Sequence, residues 1–492
     1  MSQIKIANLT FSYEGSCEDI FENVSFQIDT DWKLGFIGRN GRGKTTFLNL
    51  LLERYPFQGS ITHCVDFSYF PFAVKDASML TQNVIAEIAP DHPQWELMRE
   101  FALLKVEDGV LHRPFDTLSN GEQTKVLLAA LFCRENNFLL IDEPTNHLDA
   151  HGRELVSRYL NCKKGFILVS HDRNFLDGCV DHILSINKTN IELVKGNFST
   201  WLANKEMQDS FELAENDKLK KEVKRLEKAA KEKAVWSEKV EETKYATRNS
   251  GLRPDRGYIG HQSAKMMKRS KGIESRKQSA VEKKSKLLKN IESAETLKIN
   301  QLAFYKSGLV SLKNVTIFYG AHTVCQDISF DIETGDRVCL SGSNGSGKSS
   351  ILKLICGERI PYRGDLSVGS GLKISYVSQS TSFLKGGLSD FARMFGLDES
   401  LFKAILHKLD FSREQFRKDM SDFSGGQKKK VLIAKSLCEK AHLYIWDEPL
   451  NYIDVISRMQ IEELLLEFKP TILFVEHDSM FCEKIATKII CL

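Results

Sequence analysis

Short apolar runs of strand length alternate with stretches of helical period in the first and last parts of the chain, and the middle breaks that rhythm. In the first part, Lys33-Leu34-Gly35-Phe36-Ile37, Phe138-Leu139-Leu140-Ile141 and Gly165-Phe166-Ile167-Leu168-Val169 predict short buried strands. In the last part, Asp336-Arg337-Val338-Cys339-Leu340, His442-Leu443-Tyr444-Ile445-Trp446 and Thr471-Ile472-Leu473-Phe474-Val475 predict their counterparts. Thr46–Leu51 and Ser350–Ile355 predict helices directly after the leading strand of each set. Beyond Trp201 the period lengthens: Phe211, Leu219, Val223, Leu226, Ala230 and Val240 form one stripe, and Met266, Ile273, Ala280 and Leu287 recur every seven residues on a second. Glycine and proline gather between the stripes, from Asn249 to Gly260. The pattern predicts an antiparallel helical hairpin with an irregular tip, each arm about 40 residues and roughly 60 Å long. The expected organisation is α/β, with units at 1–199 and 301–492 joined by a helical linker at 200–300.

The two outer units repeat one chemical order. Gly38-Arg39-Asn40-Gly41-Arg42-Gly43-Lys44-Thr45 returns as Gly342-Ser343-Asn344-Gly345-Ser346-Gly347-Lys348-Ser349. Ser119, Asp142 and His171 return as Ser424, Asp447 and His477, at offsets of 305, 305 and 306, against 304 for Lys44 and Lys348. Strand, glycine loop, helix is the context a phosphate loop requires: the glycines let backbone N–H groups approach a phosphate, and the helix N-terminus adds partial positive charge. Lys44 and Lys348 are expected on the β- and γ-phosphates, with Thr46 and Ser350 the next residues of the helices. The hydroxyls of Thr45 and Ser349 are placed for Mg²⁺. Asp142 and Asp447 end apolar strands and are expected at the metal; the following Glu143 and Glu448 are expected to polarise the attacking water. His171 and His477, each after a further apolar strand, are expected near the γ-phosphate. The sequence therefore predicts a tandem ATP hydrolase.

Composition narrows the class. The longest apolar run, Val126–Cys133, is eight residues, far short of the roughly 20 a membrane-spanning helix needs. The strand-like Ile4–Leu9 stands where a secretory leader would be. Eleven cysteines lie singly, without a Cys-x-x-Cys pair, which predicts reduced thiols and a cytoplasmic protein. Net charge is +3, yet residues 201–300 hold 25 Lys and Arg against 16 Asp and Glu, and residues 244–290 hold 14 against 3. A polyanionic partner is therefore expected for the linker, with Arg253, Arg256, Tyr258, Lys265, Lys268 and Arg269 as candidate RNA contacts.

Ser119-Asn120-Gly121-Glu122-Gln123 and Ser424-Gly425-Gly426-Gln427 resemble the signature of ABC-type ATPases. In that family the signature of one unit caps the nucleotide of the other. The resemblance implies one composite site of Lys44, Asp142, Glu143 and His171 with Ser424 and Gly426, and another of Lys348, Asp447, Glu448 and His477 with Ser119 and Gly121. It also places Glu122, Gly425 and Gln427 at ATP, Gln379 at Mg²⁺, and Tyr13 and Tyr319, at matching places in the first strands, against adenine. Two ABC units with a basic helical linker look like the ABC-F translation-factor family. The runs 38–46, Arg113-Pro114-Phe115, Met267–Lys271 and Ile445–Tyr452 are similar to the Lsa-type ribosome-protection proteins of Gram-positive bacteria. This likeness implies a monomer that binds two ATP and Mg²⁺. It also implies that the protein enters the tRNA exit site of the bacterial ribosome, near large-subunit rRNA and peptidyl-site tRNA. The drugs affected would be lincosamides, streptogramin A compounds and pleuromutilins. Alternatives are a housekeeping factor for stalled ribosomes and the ATPase of a transporter with separate membrane chains. Three departures stand out: Tyr69-Phe70-Pro71-Phe72 replaces the first unit's metal glutamine, Asn120 a glycine and Glu476 a serine. Unequal sites are expected, the one holding Phe72 being slower.

Overall fold

The computed structural model describes residues 2–13, 19–90, 92–146, 148–187, 191–242, 256–287, 297–299, 301–320, 322–343 and 345–492. The chain divides into a unit of 1–199 with 294–492 and a second unit of 200–293.

The first unit contains two α/β halves. In the first half, strands Asp66–Phe70, Asn137–Asp142, Phe166–Val169, Lys33–Gly38 and His182–Ile186 pair in parallel, and Ile191–Lys195 adds an antiparallel edge. In the second half, Ile374–Val377, Leu443–Asp447, Ile472–Val475, Arg337–Ser341 and Lys488–Cys491 repeat the same order, all parallel. Phe166–Val169 and Ile472–Val475 are buried at every residue, as expected of strands covered on both faces by crossover helices. One face packs the phosphate-loop helix Lys44–Leu51 with a three-stranded antiparallel sheet, Phe21–Asp29, Gln3–Phe11 and Gln58–Thr62, in a core of Phe36, Phe47, Leu140 and Ile167. The second half repeats that layer around Leu340, Ile351, Ile445 and Leu473. On the other face a helical layer packs on the sheet, and Leu297 and Ile299 are part of its core in the second half.

Parallel strands aligned this way bring their C-terminal ends to one edge, and the predicted chemistry gathers there. Each Asp-Glu pair sits where its strand stops. Glu143 and Glu448 adopt φ of 51° and 47°, a left-handed conformation that non-glycine residues hold only when their surroundings impose it. The same conformation recurs in both halves, as it also does at Asn8 and Asn314, Asn23 and Asp327, and Lys105 and Asp410.

The second unit holds the long helices Phe198–Glu242, 45 residues, and Arg256–Leu287, 32 residues. Leu219, Val223 and Leu226 on one helix and Met266 and Ile273 on the other are half-buried, and Lys277 Nζ meets Glu227 Oε1 across the pair at 2.9 Å. Phe211 departs from the expected stripe: its ring is 67% exposed. The side chains of Ala230, Val240, Ala280 and Leu287 lie outside the described residues, as do Arg253 and the run 243–255. Arg256 opens the second helix. Tyr258, Lys265, Lys268 and Arg269 are all exposed along it.

Candidate active site

Both glycine loops turn through left-handed glycines, Gly41 (83°) and Gly43 (93°) in the first, Gly345 (84°) and Gly347 (89°) in the second. A Cβ on Gly43 would stand 2.6 Å from Ile20 Cγ2, and one on Gly347 2.8 Å from Val324 Cγ1, so both positions exclude a side chain on two grounds. The lysines that follow are buried. Lys44 Nζ donates to Gly38 O at 2.7 Å and Arg39 O at 3.2 Å; Lys348 Nζ donates to Gly342 O at 2.8 Å and Ser343 O at 2.7 Å. Burial pushes both ammonium groups below their ordinary range, opposed at Lys44 by Asp454, Glu143 and Asp142. An anion at the loop would satisfy them. Asn344 lies outside the described residues.

Thr45 Oγ1 donates to Asp142 Oδ2 at 3.0 Å, and Ser349 Oγ to Asp447 Oδ1 at 3.1 Å. Hydroxyl and carboxylate oxygens, both hard donors, thus converge beside each phosphate loop. Burial raises the pKa of both aspartates, so a cation there would relieve them. This set fits Mg²⁺, which takes few protein oxygens and completes its shell with water and substrate phosphates. Tyr69 donates its hydroxyl to Asp142 Oδ2 at 2.9 Å, and Tyr376 is placed the same way at Asp447.

The water-polarising glutamates differ between the halves. Glu448 Oε2 accepts from Gln379 Nε2 at 2.8 Å and Asn451 Nδ2 at 2.6 Å, and His477 Nε2 lies 3.5 Å from Oε1. Burial works against ionisation of Glu448, but the bonds from His477 and Gln379 outweigh it and hold this carboxyl below the usual range. At Glu143, Phe72 occupies the register position of Gln379, Oε1 is buried with no hydrogen-bond partner among the described residues, and His171 Nε2 lies 3.3 Å away. Burial and the neighbouring Asp142 push Glu143 up to about 8. His171 is held well below its ordinary value by burial and by Lys44, so its imidazole is neutral. Gln379 is thus bonded to the glutamate and not to the Asp447 carboxylate.

The halves face each other so that each loop meets the opposite signature. At the first site, Asn40 Nδ2 donates across to Tyr452 O at 2.7 Å, and a Cβ on Gly426 would fall 2.3 Å from Tyr452 O and 2.6 Å from Asn40 Nδ2. At the second, a cavity of about 770 Å³ lies between Lys348, Ser349, Ser350, Gln379, Glu448 and His477 on one wall and Ser119, Gly121, Glu122 and Lys125 on the other. The sequence-derived groupings are therefore neighbours in space. Gly426→Ala should wedge the first site open; a loss of ATP turnover beyond about tenfold checks this, and near-normal turnover would contradict the close approach.

Several residues fall differently from expectation. Tyr13 lies two residues beyond strand Gln3–Phe11, because that strand ends at Phe11, whereas Tyr319 closes strand Gly308–Tyr319. Both rings are partly exposed beside the loops, with hydroxyls 2.9 Å from Thr46 Oγ1 and 3.4 Å from Ser350 Oγ. Glu122 and Gln427 use their side chains in capping boxes, accepting from Ser119 N at 2.8 Å and Ser424 N at 3.0 Å, because the first turn of each signature helix needs those acceptors. Gly425 packs under the Tyr452 ring. Glu476, buried, accepts from Leu450 N at 2.7 Å and so steadies the loop behind Glu448.

A family model described as ABC transporter matches residues 21–146 and 325–451, just over half of the chain. The chain belongs to the ABC family. Within it the chain is of the ABC-F type and is an ATP hydrolase, and ABC units of this kind bind ATP and Mg²⁺. It is 29% identical to the ribosome protection protein VmlR of Bacillus subtilis over 98% of this chain and 85% of that protein. It is 27% identical to the ATP-binding protein Uup of Buchnera aphidicola from Acyrthosiphon pisum over 99% of this chain and 80% of that one. Among solved structures, the archaeal ribosome recycling factor aABCE1, in complex with the ribosomal stalk protein aP1, superposes with a TM-score of 0.63 at 17% identity over 98% of this chain and 87% of that one, a likeness of fold. No helix among the described residues is long and apolar enough to cross a membrane.

Sequence reasoning missed some members of this ABC-F site. Asn451 stands beside Glu448, and its place two residues after Pro449 was the available signal. Asp454 caps helix Val455–Phe468, bonds Lys430 Nζ at 2.7 Å, and its charge acts on Lys44 and His171 of the opposite half. Nothing in the local sequence pairs residues so far apart.

Proposed function

We propose that this ABC-F ATPase holds two ATP–Mg²⁺ between its halves and acts on the bacterial ribosome, protecting it from drugs of the peptidyl-transferase centre. Similarity over 98% of this chain and 85% of a ribosome protection protein carries this reading. It is supported by the excess of 11 positive charges over residues 244–290, the composition an RNA-lined channel would select.

In each site the phosphate loop and its lysine bind the β- and γ-phosphates, while the opposite signature helix closes over the γ-phosphate with its N-terminus. Thr45 with Asp142, and Ser349 with Asp447, would hold Mg²⁺, which neutralises charge developing on the phosphate oxygens. Glu448 is fixed by Gln379 and Asn451 to orient a water against the γ-phosphorus; the new P–O bond forms as the β–γ bridge breaks, with ADP leaving. Closure of the halves sets the hairpin for entry from the tRNA exit site, and hydrolysis lets the protein leave. The inserted tip displaces lincosamides, streptogramin A compounds or pleuromutilins by reshaping rRNA and peptidyl-site tRNA. Such a protein works as a monomer in the cytoplasm.

A housekeeping role at stalled ribosomes is the second reading: the chain is nearly as similar to an ATP-binding protein whose name carries no drug protection. ATP-dependent co-sedimentation with bacterial ribosomes tests the shared claim. Drug tolerance of a susceptible host carrying the protein separates the two readings.

A further inference from the structure

The two-fold repeat should give the interface between the halves two matching sides, and it does not. Arg173, two residues after His171, enters the opposite half and binds Glu462 through both of its terminal nitrogens, Nη1 and Nη2, with Nη1 to Oε2 at 3.3 Å. Both residues are buried, at 6% and 1% exposure. Arg173 Nη2 also lies 3.9 Å from Asp478 Oδ2, and Lys484 Nζ is 3.2 Å from Glu462 Oε2. The repeat places Ser479 opposite Ser157 on the other side, since each serine holds the register of Arg173 and Glu462 after His477 and after the cap residue Asp149. A cavity of about 640 Å³ lies there, lined by Ser157, Ser479, Asn174, Arg153, Asp172 and His477.

The loops show the same bias. Arg39 Nη1 and Arg42 Nη2 lie 3.8 and 3.7 Å from Asp410 of the other half. Their counterparts are Ser343 and Ser346, and Lys105 takes the turn position of Asp410, so that set of ion pairs has no chemical equivalent on the second side. Beside the cavity a neutral bond joins the halves: Asn174 Nδ2 donates to Ser479 Oγ at 2.7 Å.

We infer that the nucleotide sites open unequally, with Arg173 as a positioning residue that holds the first site closed while the halves hinge apart at the second. A bidentate, buried ion pair fixes register and is lost only when the whole side separates. A void beside the second site has no such contacts to break. The residues of the second site, where Glu448 is set for chemistry, therefore exchange nucleotide, and the first site keeps the halves together between cycles.

Hydrogen exchange on the full chain tests this, comparing nucleotide-free protein with the ATP-loaded Glu143→Gln/Glu448→Gln variant. Protection gained with ATP is expected to be roughly tenfold or more larger in 119–125 than in 424–430. Arg173→Met should raise exchange in 424–430 selectively, and Arg173→Lys, which keeps the charge but not the bidentate grip, should restore only part of the protection. Ser157→Glu with Ser479→Arg, which recreates the ion pair on the second side, should slow exchange in 119–125. A normal melting transition shows that the variants fold. Equal protection of the two signature helices, or equal loosening of both by Arg173→Met, would overturn the inference.

Discussion

Replacing Glu448 by Gln should reduce steady-state ATP hydrolysis by about a hundredfold or more, while Glu143→Gln should cost only a few-fold. Geometry sets this difference. Glu448 is gripped by Gln379 and Asn451 and stays below the usual carboxylate range, so it is ionised at neutral pH and oriented to accept a water hydrogen. Glu143 faces Phe72 where a glutamine would reach it, and burial with the neighbouring Asp142 pushes its pKa up, which disfavours the ionised form that Glu448 keeps. A protonated carboxyl cannot take a proton from water. Phosphate release from the two single variants decides the matter. Equal losses would mean that both glutamates carry turnover alike and that the unequal surroundings have no kinetic consequence.

Removing residues 251–260 should abolish drug protection while leaving ATP binding and hydrolysis within about two-fold of the full chain. The two composite sites are built from residues of 1–199 and 294–492. The deleted run carries Arg253, Arg256 and Tyr258, two cations and an aromatic ring that can pair with phosphate and stack on a base. Protein synthesis on bacterial ribosomes at an inhibitory lincosamide concentration, with and without the shortened protein, is the assay. Protection by the shortened protein would show that the hairpin body, or the ATPase unit alone, displaces the drug.

What the sequence disclosed followed physical range. Phosphate loops, signature loops and Asp-Glu strand ends are local: each needs a glycine turn, a cap or a buried strand within about ten residues, and each stands where its motif placed it. The head-to-tail pairing came from family likeness, and Gly426 against Asn40 shows the two halves meeting there. Phe211 was misjudged because periodicity registers an apolar residue without showing whether a partner faces it. Glu122 and Gln427 also serve as capping-box acceptors, because three-residue spacing from serine makes a capping box, and Glu122 at the same time lines the cavity of the second site. Arg173 and Glu462 are 289 residues apart on different repeats, and their pairing exists only after both halves have folded and met.

ATP-gated binding to the ribosome can be read by centrifuging the Glu143→Gln/Glu448→Gln variant with purified bacterial ribosomes, with and without ATP. Most of the protein should pellet with ribosomes when ATP is present and stay in the supernatant without it. Protein that binds ATP but remains in the supernatant would contradict the account and turn attention to a membrane partner.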